Sequence, residues 1–178
     1  MDKLTRPFNG SSLIRRAAVA THAMPGETWV ALPSLDHPRA AQLDELDIKI
    51  KCFQSSNEGI SGTLRAAVAA LPMDTTHICV TLADLPGLSA AHFTAFNQAI
   101  SDHPTADILR GRTAQGRPAH PTVFARSTFE SFADLSGDDG AKPLFQNPAF
   151  NVQYIELTGP HVGIDLDTPQ DWDAFQQG

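Results

Sequence analysis

An α/β fold built on a mostly parallel sheet follows from three features of the sequence. The first is the run His77, Ile78, Cys79, Val80, Thr81, Leu82, apolar and partly β-branched, which has the character of a strand buried on both faces under helices. The second is the alternation of strand-like and helix-like segments through the first hundred residues, which implies parallel strands joined by right-handed crossovers. The third is how the central run stops. Ala83, Asp84, Leu85, Pro86 and Gly87 put a carboxylate just past the carboxyl end of the strand, where open α/β sheets hold their ligands. Asp84 is thereby a candidate to hold a divalent metal carrying the phosphates of a nucleotide.

Taken in order, residues 1–9 carry no strand pattern. Gly10, Ser11 and Ser12 offer an N-cap, and Leu13, Ile14, Ala17, Ala18 and Val19 recur at helical spacing, so an amphipathic helix is predicted near residues 11–23. Residues 28–32 read as a short strand, 39–46 as a weak helix, and 47–53 as a second strand with Ile48, Ile50 and Cys52 alternating. A polar loop, Gln54 to Gly59, leads into a helix over 61–71 that Pro72 stops. The strand from His77 follows, then a helix capped by Ser89 and carrying Phe93, Phe96 and Ile100.

After His103 and Pro104 the rhythm changes. Residues 106–110 and 121–125 are strand-like around a Gly-, Gln- and Arg-containing turn, which predicts an antiparallel hairpin-like excursion in the second half. A short helix is expected over 129–135, a loop at Gly137 to Gly140, a helical turn over 141–146 and a late strand over 152–157. Thr168, Pro169 and Asp171 read as the start of a terminal helix.

A chain of 178 residues is long enough for one full core and short for two, so a single domain over 1–178 is expected. The net charge of -7 argues against a general nucleic-acid binder, because no basic face is visible to neutralise a phosphate backbone. No apolar run reaches the ~20 residues a membrane span requires. The cytoplasm is the compartment this predicts. Cys52 and Cys79 lie in apolar, strand-like segments without metal spacing, and two buried reduced thiols are expected.

Three constellations could carry chemistry. Asp165 and Asp167 are two residues apart in Gly163, Ile164, Asp165, Leu166, Asp167, so in extended backbone they project to one side. With Asp84 they would supply hard oxygen ligands for Mg2+, which takes one or two carboxylates plus substrate phosphates. The same pair would equally serve to cap the terminal helix. The loop Asn57, Glu58, Gly59, Ile60, Ser61, Gly62 joins a strand to a helix, so its amides could receive an anion or a base edge. Its glycines could also simply turn the chain. The third constellation, Gly116 to Pro121 with Gly137 to Lys142, holds a lone His120 and a Gly-Asp-Asp-Gly loop, which suit a structural role as well as a functional one.

In this order the segments resemble the molybdenum cofactor cytidylyltransferases and their relatives among the molybdopterin nucleotidyltransferases. The resemblance is carried by Asn57, Gly59, Ser61, Leu64 and Arg65; by Leu82, Ala83, Asp84, Leu85 and Pro86; by Gly116, Pro118, His120 and Pro121; by Gly137, Asp138, Gly140 and Ala141; and by Asp165, Leu166, Asp167, Thr168, Pro169 and Asp171. It implies a three-layer α/β/α nucleotidyltransferase fold of Rossmann-like type. It also implies transfer of CMP, or of GMP, from CTP or GTP to the phosphate of a molybdopterin acceptor, with release of pyrophosphate. A molybdoenzyme or its chaperone is the protein partner of such a reaction.

By the same resemblance Asp84 is a catalytic residue and a Mg2+ ligand, with Asp165 and Asp167 beside it. Asn57, Gly59, Ser61 and Arg65 lie along the nucleotide, and His120, Asp138, Gly140 and Lys142 face the acceptor. Relatives open with a strand and a Gly-rich phosphate loop, Gly-Gly-x-Ser-x-Arg-Met-Gly, followed by a lysine. Only Lys3, in Met1, Asp2, Lys3, Leu4, corresponds to that segment here, as its catalytic lysine. Without that strand, residues 28–32 and 78–82 would either close up on each other or leave a gap for another chain. The alternatives are a nucleotide- or cofactor-binding homologue impaired in catalysis, and a nucleotidyltransferase for another phosphorylated acceptor.

Overall fold

The computed structural model describes residues 2–8, 10–159, 162–164 and 166. Asp2 caps a 3-10 turn at Lys3–Thr5 by accepting from the Leu4 amide at 3.0 Å. A two-residue ladder follows, β1 (Pro7–Phe8) antiparallel to β2 (Ser11–Ser12), before helix α1 (Leu13–Thr21). Next come β3 (Trp29–Ala31), a 3-10 turn at Ala40–Leu43, β4 (Lys49–Lys51), a 3-10 turn at Gln54–Glu58 and α2 (Gly59–Ala69). The second half contains β5 (His77–Val80), α3 (Ala90–Asp102), β6 (Ile108–Thr113), β7 (Pro118–Ala125), a 3-10 stretch at Arg126–Asp134, α4 (Lys142–Gln146) and β8 (Val152–Leu157).

Four strands form one mixed sheet in the order β5-β7-β6-β8. β7 runs antiparallel to both neighbours and β6 parallel to β8, so β7 is the one reversed strand. That is the antiparallel excursion the sequence predicts. β3 and β4 pair in parallel as a separate two-stranded sheet. Among the described residues no ladder joins β3 to β5, so the two strands do not close up on each other. They are linked through side chains instead: Ala83 and Leu4 pack into the cluster of Ile14, Ala18, Leu32 and Leu43 between α1 and the small sheet.

Helices cover both faces of the larger sheet. On one face Phe96 and Ala99 of α3 meet Leu109, Val123 and Leu157. On the other, Ile108 and Phe124 pack with Phe132, Leu135 and Leu144, and with Leu64 and Val68 of α2. Phe124 meets Phe132 edge to face at 5.1 Å, a geometry worth about 1 kcal/mol beyond burial. Period-2 alternation on β6 and β7 makes this division: Ile108 and Phe124 pair across the ladder and face one way, Leu109 and Val123 the other. A register shift falls at Arg110/Gly111 within β6, and the chain then crosses to β7 by a turn in which Gly116 takes φ +80. A Cβ on Gly111 would lie 2.9 Å from the Ala119 carbonyl oxygen, which explains glycine there.

Four expectations are corrected. The central strand ends at Val80, and residues 81–87 are irregular. The cause lies on β7, where Val80 pairs with Thr122: the preceding Pro121 has no N–H, and the His120 ring takes the Val80 carbonyl at 3.2 Å. Cys52 is exposed, because it stands one residue beyond β4 and its ladder. The weak helix at 39–46 is only the 3-10 turn Ala40–Leu43. The helix at 129–135 is part of the 3-10 stretch Arg126–Asp134, whose Ser, Thr and Phe content has low helix propensity. The terminal helix predicted after Asp167 lies outside the described residues. No helix among them is long and apolar enough to cross a membrane.

Candidate active site

The irregular segment after β5 carries Asp84 to the end of the sheet. Its Oδ2 accepts from Lys3 Nζ at 2.8 Å, and its Oδ1 is buried with no hydrogen-bond partner. Lys3 is held there from behind. Arg39 Nε donates to Asp2 Oδ2 at 2.5 Å and Nη2 donates to Oδ1 at 3.1 Å, a two-point clamp that fixes the capped turn from which Lys3 projects. The Arg39 guanidinium holds the Asp2 carboxyl below its ordinary pKa, against an opposing effect of burial.

The Leu166 amide donates to the Asp84 carbonyl at 3.3 Å. The chain of Gly163, Ile164 and Leu166 is therefore tied to Asp84 through its backbone. Asp165 and Asp167, expected as metal ligands, lie outside the described residues. No group of three His, Cys, Asp or Glu side chains suited to a metal is present among the described residues. Asp84 alone still fits a divalent cation, since one carboxylate oxygen is left without a partner and Mg2+ completes its shell with phosphates and water.

His120 of β7 meets the carbonyl of Val80 at the end of β5. Burial pushes its imidazole below the ordinary histidine range; the Val80 carbonyl and the charge of Asp84 oppose this, and Arg110 adds to it. The ring is therefore neutral at pH 7. The Val80 carbonyl can only accept, so Nδ1 carries the hydrogen and Nε2 is left as an acceptor.

The loop residues predicted along the nucleotide are brought together with part of the predicted acceptor set. Gly59 takes φ +81 at the start of α2, and a Cβ on it would lie 1.9 Å from Asp138 Oδ1. Ser61 is fully buried, its amide donating to Gly137 O and its hydroxyl to Gly140 O, each at 3.4 Å. Asp138 and Gly140 thus pack on Gly59 and Ser61, and Asn57 is exposed at the end of the 3-10 turn before them. Arg65 is engaged in structure: Nη1 donates to Leu135 O at 2.7 Å and Nη2 pairs with Glu58. Lys142 is exposed and lies 4.0 Å from Asp139.

Two residues that the sequence reading passed over adjoin this site. Arg110 lies 3.9 Å from the centroid of the Phe145 ring, and Arg112 lies 5.7 Å from that of Tyr154. Two arginines at alternate positions of an otherwise apolar strand, Ile108, Leu109, Arg110, Gly111, Arg112, were the available signal, since the pleat puts both on one face.

The fold, the carboxylate at the sheet end and the glycine-led loop before α2 can be set beside known proteins. The MobA-like NTP transferase domain matches residues 1–153. The chain belongs to this family.

No curated protein matches the MobA-like chain in sequence. Its fold is shared with Rv0371c from Mycobacterium tuberculosis H37Rv, at TM-score 0.81 and 23% identity over 100% of this chain and 90% of that one. The nucleotidyl transferase Mth528 from Methanothermobacter thermautotroptrophicus aligns at TM-score 0.78 and 17% identity, covering 99% and 84%. CMP:2-keto-3-deoxy-manno-octonic acid synthetase complexed with CTP aligns at TM-score 0.74 and 14% identity, covering 98% and 90%.

Proposed function

We propose that this MobA-like chain transfers a nucleoside monophosphate, CMP by preference over GMP, from an NTP to the phosphate of a molybdopterin-type acceptor in the cytoplasm. The observation that carries the reading is Asp84, whose Oδ1 is buried without a partner while Lys3 neutralises Oδ2 at the end of β5. An acceptor phosphate oxygen forms a bond to the α-phosphorus, the bond from that phosphorus to the bridging oxygen breaks, and pyrophosphate leaves. Such a displacement needs alignment and charge neutralisation more than a protein nucleophile.

Asp84, with Asp165 and Asp167, would hold the Mg2+, which when bound neutralises phosphate charge and orients the leaving group. Rv0371c has a structure in complex with manganese, which supports a divalent cation here. CTP bound to the octonic acid synthetase supports cytidine as the base. Lys3 supplies a cation within reach of the phosphates, and neutral His120 can accept a hydrogen bond from the acceptor through Nε2. Asn57, Gly59 and Ser61 lie along the nucleotide, and the loop from Asp138 to Lys142 closes over the acceptor.

Mixing the chain with Mg2+, each of the four NTPs and either molybdopterin or molybdenum cofactor tests the reading by pyrophosphate release. Release with CTP and a molybdopterin acceptor is expected. Release only with a different phosphorylated acceptor would overturn the acceptor assignment, and none with any pair would overturn the activity.

A further inference from the structure

The face of the large sheet beyond Asp84 carries two arginines that form no ion pair among the described residues. Val80, Thr122, Arg110 and Tyr154 are direct cross-strand partners, forming one row over β5, β7, β6 and β8 on a single face. At about 4.8 Å per strand, Arg110 stands roughly 10 Å along this row from Val80. Arg112 follows on the same face, opposite Glu156, with no ion pair between them among the described residues.

Arg110 is half-buried and its guanidinium is held in place without a counter-ion. Phe145 of α4 lies against it at 3.9 Å from the ring centroid, and Phe145 is itself stacked on Phe124 at 5.8 Å. Tyr154 interacts with it from the neighbouring strand. Tyr154 receives one donor of the fork and no carboxylate within ion-pair distance receives another among the described residues, so a half-buried guanidinium is left with donors to spare, which is costly in a structural role. Next to it, Thr122 is only 1% exposed and its buried hydroxyl has no hydrogen-bond partner. Val80, whose carbonyl meets the His120 ring at 3.2 Å, is the first residue of this row and is followed in the chain by the short segment to Asp84, so the row begins at the sheet end where Asp84 stands.

We propose that Arg110 and Arg112, with Tyr154 at their side, form an anion subsite that grips a phosphate monoester of the acceptor on this face of the sheet. The planar fork of Arg110, already oriented by the Phe145 ring, suits two-point binding of a phosphate. Arg112, more exposed, adds charge at the mouth. The assignment rests on the nucleotidyltransferase reading for the word acceptor, and on the row itself for the anion.

The test uses the full chain and inorganic phosphate as the probe, followed by NMR shifts of the Arg Nε–Hε groups, with and without saturating CTP and Mn2+. Phosphate should shift Arg110 and Arg112 in the presence of the nucleotide. Arg110→Met keeps the contact with Phe145 and should weaken phosphate binding at least tenfold, as should Arg112→Ala at the exposed edge, while CTP affinity changes less than twofold. Lys49→Ala, at an exposed cation of the small sheet, should leave the phosphate affinity at these arginines unchanged. In turnover, Arg110→Met should raise the acceptor KM at least tenfold and leave the CTP KM within twofold. Equal phosphate affinity in wild type and both arginine variants, or loss of the shifts when CTP is added, would overturn the subsite. Absence of turnover in the wild type would overturn the functional reading and leave the phosphate result to stand or fall by itself.

Discussion

Lys3 donates to Asp84 across 81 positions of sequence, at 2.8 Å, and this contact joins the N-terminal turn to the end of the central strand. The pair is only partly buried, with side-chain exposures of 36% and 21%, so it contributes little to stability. Its value lies in position. A cation and a carboxylate are held side by side where a phosphate and a metal would meet.

The clamp behind Lys3 gives the first prediction. Arg39→Ala releases Asp2, and with it the turn that aims Lys3. Stability should fall by about 1 kcal/mol or less, since the pair is partly exposed. Turnover should fall on the order of tenfold to a hundredfold through misplacement of Lys3. Comparing thermal melting with pyrophosphate release for this variant measures both.

His120 gives a pH dependence. Burial lowers its folded pKa, and burial also lowers that of His77. A histidine whose folded pKa lies below its unfolded value binds protons more readily in the unfolded chain. The stability is therefore complete above the unfolded pKa of about 6.5 and is lost as pH falls toward the folded pKa. Urea unfolding between pH 7.5 and 5 should show wild-type stability declining, with a shallower decline in His120→Gln and a shallower one still in the variant that also carries His77→Gln.

Gly59 tests the packing of the two loops. Gly59→Ala places a Cβ 1.9 Å from Asp138 Oδ1 and 3.1 Å from the Gly137 carbonyl at a φ of +81. A loss of about 1–3 kcal/mol is expected from strain alone. Adding Asp138→Ala should restore part of that loss and not all of it, because the backbone conformation and the Gly137 contact remain. Chemical denaturation of the single and double variants checks this.

The thiols should differ in reactivity. Burial pushes the Cys79 thiol up to about 12, and Cys52 is exposed. At pH 8 a thiol reagent should label Cys52 alone in the native chain and both residues after unfolding. Mass spectrometry of the labelled peptides reads the result.

How far the sequence disclosed this arrangement depends on the range of the interaction. The extents of α1, α2, α3 and β8 were legible, because apolar spacing and local caps determine them. Ser89 is an instance: it caps α3, with His92 in place of the usual Glu or Gln completing the capping box. The end of β5 was not legible, since it is decided by Pro121 and His120, forty residues away on β7. The exposure of Cys52 was missed for a similar reason, as alternation continues past the point where β4 loses its partner. In the site, Asp84 was legible from the strand it terminates. Arg110 was not, because its meaning comes from Phe145 and Tyr154, which the sheet register and α4 bring to it.

The proposed activity depends above all on Asp84. Pyrophosphate release by Asp84→Asn, at saturating CTP, Mg2+ and acceptor, isolates the carboxylate while keeping its size. A loss of roughly a hundredfold to a thousandfold relative to wild type is expected, with circular dichroism and melting unchanged. Release within a few-fold of wild type would contradict that dependence.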